Sequence, residues 1–231
     1  MGYIGKNDME HPAFAPFVAT LEDVELQHLS EAYAAADDRL RGLQGRRDTA
    51  QQEITAIDTS LFDLSAKQQE AALDRRVRLQ GSIDTLPAHL AEAQRRLVLA
   101  NLAWLSRLHA LAWSEAQRAQ DELEPVYDAA RDDRKAMDRA ERAKMSREVS
   151  QQEWQEQQLA HRTRQQERHA QTDPARQRRA QAQEAAKVCE IRAHRFGEQV
   201  RLESPHTWDE AAAQAVRPIT APVVRSLPHA F

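Results

Sequence analysis

The side chains able to do chemistry are few, and their spacing limits what they could do. Nine histidines and one cysteine stand among 231 residues. His161 and His169 share one side of a helix at a spacing of about two turns, too far apart to chelate one ion by themselves. No His-x-x-x-His or His-Glu-x-x-His occurs, and a single cysteine cannot build a zinc knuckle. Cys189 precedes His194 with no acid placed in a loop to orient the imidazole, whereas a nucleophilic Cys/His pair is normally assembled across a fold. Cys189 therefore reads as a small core residue. The six glycines contain neither GxGxxG nor a GxxxxGK followed by Ser or Thr, so nothing builds a backbone cradle for a nucleotide phosphate. The expectation is a protein that is not an enzyme, with no catalytic residue, no cofactor and no metal site.

One charged segment stands out. Arg162, Arg164, Arg168, Arg176, Arg178 and Arg179 face only Glu167 and Asp173 between His161 and Arg179, and the intervening glutamines could hydrogen-bond phosphates or bases. Contact with RNA or DNA is one expectation. The other is a solvated helix whose arginines pair with acids, and the chain supplies those acids: residues 1–160 hold 20 Lys+Arg against 28 Asp+Glu, and residues 161–231 hold 12 against 8. Aromatic stacking platforms are missing from the segment, which disfavours single-strand readout.

The elements that must carry these residues are helical. Glycine, aromatic and β-branched residues are scarce, while Ala, Gln, Glu, Arg and Leu dominate. From Leu26 the residues Leu29, Tyr33, Ala36, Leu40, Leu43, Arg47, Ala50, Ile54, Ile57, Leu61, Leu64, Gln68 and Ala71 recur every three or four positions, the seam of a coiled coil. The charges flanking this seam give no attraction in a parallel self-pair, so a different helix is the expected partner. A first helix is expected from a cap at Thr20 to about Gln80, with Gly42 and Gly45 marking either a bend or, the preferred reading, close backbone approach. Gly81, Ser82, Asp84, Thr85 and Pro87 read as a helix stop and restart, placing a hairpin tip at 81–86. A second seam runs from Ile83 to Ala130, and two stripes overlap between Leu97 and Trp113, a face too wide for one partner helix. Trp104, Leu108 and Trp113 are the expected anchors of whatever else packs there: a symmetry mate, a third helix of this chain or a foreign protein. Pro125 predicts a joint in the second helix.

These signals give an all-α fold: a long antiparallel helical hairpin over 20–145, a polar helical extension over 146–203 broken at 172–174, and a short helix at 208–216 within a C-terminal segment, 204–231. An N-terminal arm, 1–19, and the tail 217–231 are expected to be extended because glycines and prolines punctuate them. Phe14 and Phe17 in the first, and Val223, Val224 and Leu227 in the second, are the expected anchors on neighbours. No signal peptide is legible, and Leu97–Trp113 is too short and too polar to span a bilayer, so the cytoplasm or a virion is the expected setting and membrane attachment at most peripheral. The expected role is a structural or assembly subunit that binds other protein subunits, of itself or foreign, most concretely in a phage head or tail. A nucleic-acid-binding accessory protein and a stalk or adaptor of a secretion or motor machine are the alternatives.

Overall fold

A computed structural model describes residues 14, 23–146, 149–203 and 210–220. Four helices make up nearly all of it: α1 (Val24–Ser60), α2 (Ala66–Met145), α3 (Gln151–Glu203) and α4 (Glu210–Thr220), with a 3-10 turn at Leu61–Asp63. No strand occurs among the described residues. The all-α helical hairpin expected from the seam is thus the observed architecture.

Each of the first three helices begins where a side chain satisfies amide groups that the helix leaves without partners. Asp23, not Thr20, caps α1: its backbone is extended, and its carboxylate accepts the Leu26 amide at 2.7 Å. At the start of α2, Gln68 Oε1 accepts both the Ser65 amide at 3.0 Å and the Ser65 hydroxyl at 2.7 Å. At the start of α3, the Ser150 amide donates to Glu153 at 2.9 Å while the Glu153 amide donates to Ser150 Oγ at 3.3 Å, a reciprocal capping box. The Ser150 amide, and then its hydroxyl at 2.8 Å, donate to the Glu153 carboxylate and hold it below its ordinary range.

The hairpin tip lies at 61–65, not at 81–86, where α2 runs on unbroken. Interhelical bonds join Glu53 to Arg75, Asp58 to Arg76, Ser30 to Trp104 and Asp23 to Arg107, so their midpoints fall between residues 64 and 67. The Gly81–Pro87 cluster weakens a helix by only a few kcal/mol in all, which the burial of Leu86, Ala93 and Leu97 offsets. The same reasoning covers Pro125, inside α2, and Pro174, inside α3, so the expected break at 172–174 is absent. Thr172 sits buried within α3 and donates to the Arg168 carbonyl at 2.8 Å. The last helix also outruns its expected end at Val216, continuing through Pro218 to Thr220.

The described residues divide into two compact units, the first taking 23–108, 189–203 and 210–220 and the second 109–146 and 149–188, with Phe14 assigned to the second. In the first unit α2 buries two stripes. Ala93 and Leu97 pack with Tyr33 and Leu40 of α1, supported by Ala36, Leu43, Leu90 and Ala100. Val98 and Leu102 pack with Phe196 and Val200 of α3 and Ala212 of α4. In the second unit α2 and α3 run antiparallel, and their buried residues are mostly small: Ala112, Ala116 and Ala119 on one helix, Ala175, Ala182, Ala185 and Ala186 on the other.

Candidate functional site: an arginine ladder and an apolar hairpin end

The second unit holds the arginine segment, and its guanidinium groups turn toward carboxylates of α2. Arg168 Nη2 donates to Asp133 Oδ2 at 2.6 Å and Arg164 Nε donates to the same oxygen at 3.1 Å, with His161 Nδ1 at 3.9 Å. Burial pushes the Asp133 carboxyl up, yet Arg168 and Arg164 outweigh it and hold the group below its ordinary range. Arg178 bonds Glu122 and lies 3.6 Å from Glu115, and the Glu122 bond holds its guanidinium above the usual value. Arg176 Nε donates to the Tyr127 hydroxyl at 3.3 Å, and its guanidinium sits 5.7 Å from the centre of that ring. Arg162 and Arg179 carry no ion pair among the described residues. Four of the six arginines are therefore engaged by α2, leaving a weak electrostatic footprint for a polyanion.

The expected anchors on α2 are core residues. Leu108 is completely buried, and Trp104, also buried, donates its indole N–H to Ser30 Oγ of α1 at 3.0 Å. Trp113 is half-buried and donates to His109 Nε2 at 2.9 Å. Trp104 and Leu108 are thus closed off within this chain rather than presented to another subunit, and the wide face beside them is covered at Leu97 by α1 and at Val98 and Leu102 by the end of α3 and α4. Phe14 is fully buried in the second unit. Phe17, Val223, Val224 and Leu227 lie outside the described residues.

Among the described residues the large apolar side chains that face solvent are Val24, Met145, Leu159 and Ile191, spread along the chain, and three that belong to the α1–α2 hairpin. Phe62, at the α1–α2 tip, is 89% exposed, and Leu73 and Val77 are exposed one turn apart on the adjoining part of α2. Their sequence signal was concealed because Leu61 and Leu64 continue the seam spacing straight through the turn. The Ser65–Gln68 capping pattern was the legible clue. At the other end of the first unit, Arg107 pairs with Asp23 at 2.6 Å and Glu25 at 3.1 Å.

Cys189 is buried on the α3 stripe with its thiol pushed up by burial to about 12. Among the described residues no cluster of three or more His, Cys, Asp or Glu could hold a metal ion, and no helix is long and apolar enough to cross a membrane. No protein-family model matches the chain, and no curated protein or solved structure does so either.

Proposed function

We propose that this chain is a non-enzymatic structural subunit of a larger assembly, a virion head or tail component in its most concrete form, contacting neighbours through helical surfaces. The observation that carries this reading is the apolar end of the α1–α2 hairpin. Phe62, Leu73 and Val77 are left in water there, while Trp104 and Leu108 are consumed in the chain's own core. Exposed apolar groups on one stretch of a helical hairpin are what a protein–protein contact uses.

Mass photometry and light scattering of the full chain at low and high salt test it. A salt-resistant oligomer that dissociates when Phe62, Leu73 and Val77 are replaced by Ser is the expected result, since apolar contacts survive screening. A monodisperse monomer at every concentration removes the self-assembling form of the proposal, leaving a foreign partner to be sought.

The alternative role as a nucleic-acid-binding accessory protein has the arginine ladder in its favour and the pairing of Arg164, Arg168 and Arg178 with α2 carboxylates against it. It requires duplex or single-strand binding that weakens steeply with salt and disappears when Arg162 and Arg179 become Gln. Absence of binding at low salt removes it.

A further inference from the structure

A helix lying along a partner turns at least one residue inward on every revolution, because 3.6 residues complete the circle. In α1 one stretch fails to do so. Gly45, Arg46, Arg47, Asp48 and Thr49 are all exposed, between partly covered Leu43 and Gln44 on one side and buried Ala50 on the other. The facing part of α2 is thinly covered rather than bare: between Gln80 and Thr85 only Ile83 is partly covered, with buried Leu86 beyond it. The gap in cover is therefore on the α1 side, and the cover on α2 rests on one residue per turn.

The local sequence compounds the weakness. Three of the chain's six glycines, Gly42, Gly45 and Gly81, lie in or beside this waist. A Cβ added at any of the three would meet nothing within 4 Å, so close approach of backbones, the expected reason for Gly42 and Gly45, is not why they are there. Pro87 removes the amide that would bond the Ile83 carbonyl. Thr85 Oγ1 turns back to donate to the Ser82 carbonyl at 2.9 Å, a side-chain bond of the kind that bends helices. Packing resumes on both sides, through Tyr33, Leu40, Ala93 and Leu97 on one and buried Ala50 and Ile54 on the other. Arg75–Glu53 at 2.7 Å and Arg76–Asp58 at 2.6 Å tie the helices together beyond the waist.

We infer that the α1–α2 hairpin is hinged at 42–49 and 80–85, so that the end carrying Phe62 swings as one body from the clamped cluster around Leu40 and Leu97. Glycine-rich, proline-flanked stretches are where helices bend sharply. The hinge sets the reach of the exposed end, whatever that end touches.

Spin labels on the full chain test it. Cys189 is buried and inert, so cysteines introduced at exposed positions are labelled selectively. Glu31→Cys with Thr59→Cys spans the waist at roughly 42 Å, and Val24→Cys with Arg39→Cys lies within the clamped part at roughly 22 Å. Electron–electron resonance is expected to give a broad distance distribution for the first pair and a narrow one for the second. Replacing Gly42, Gly45 and Gly81 together by Ala is expected to narrow the first, and the open space around all three lets that variant fold. Hydrogen exchange over 42–49 and 80–85 is expected to outpace that over 33–40 and 93–97, and to slow by about fivefold per glycine replaced, the helix preference of Ala over Gly. A spanning distribution as narrow as the internal one, or equal exchange in all four stretches, overturns the hinge.

Discussion

Asp23 does two jobs with one carboxylate. Its Oδ1 caps α1, and the same group takes the Arg107 guanidinium, so the start of the helix and its attachment to α2 depend on a single ionisation. The Arg107 bond, then the Leu26 amide, hold its carboxyl below the ordinary range. A carboxyl depressed in the folded state takes up a proton on unfolding. Its contribution is therefore full above the unfolded value of about 3.9 and lost as pH falls through the folded one. Thermal melts between pH 7 and pH 2 should show the native chain losing more stability below pH 4 than Asp23→Asn, which starts lower at pH 7. A parallel decline of the two proteins would show that Asp23 contributes nothing through its charge. At this scale the sequence named the right residues for the wrong surroundings. Trp104 and Leu108 were legible as large anchors, but residue type cannot say whether the covering helix comes from the same chain.

Among the elements, α2 and α3 of the second unit join through a seam of alanines that supplies little shape of its own, so polar pairs carry much of the registration between them. Arg168, with its side chain 19% exposed, keeps one nitrogen buried and unbonded even with Asp133 in place. Asp133→Asn would leave a largely buried guanidinium without its anion, and a loss of about 1–3 kcal/mol in denaturant unfolding is the expected result. Asp133→Asn with Arg168→Met should recover part of that loss, because the stranded cation goes too. If the single change costs nothing measurable, the pair is decoration. Spacing made the helices legible over most of their length. It failed at the joints: a repeat of apolar residues every three or four positions passes through the Leu61–Ser65 turn as readily as along a helix, and Gly, Ser and Pro at 81–87 weaken a helix without ending it when packing on both sides continues. The doubled stripe at 97–113 correctly required a third element, and the end of α3 with α4 supplies it.

For the molecule as a whole, composition alone carried the fold class: too few β-branched and aromatic residues for a sheet, too many helix formers for anything else. The net charge of −4 is small, and the isoelectric point lies near 6.2. Association from lost repulsion should peak near pH 6 and vanish by pH 8, whereas assembly through apolar surface should persist at both. Light scattering at the two pH values separates them, and an oligomer confined to pH 6 would count against a built interface. The two-striped α2 also has a consequence for how the chain is made. Val98 and Leu102 leave the ribosome nearly a hundred residues before Phe196 and Val200, the α3 side chains that cover them. At about 5–20 residues per second the nascent chain carries that open stripe for roughly 5–20 s. The α1–α2 hairpin closes early because its halves are neighbours in sequence; the other stripe waits for the end of α3 to be made. Slowing translation between codons 103 and 195 should therefore lower soluble yield more than slowing it before codon 60.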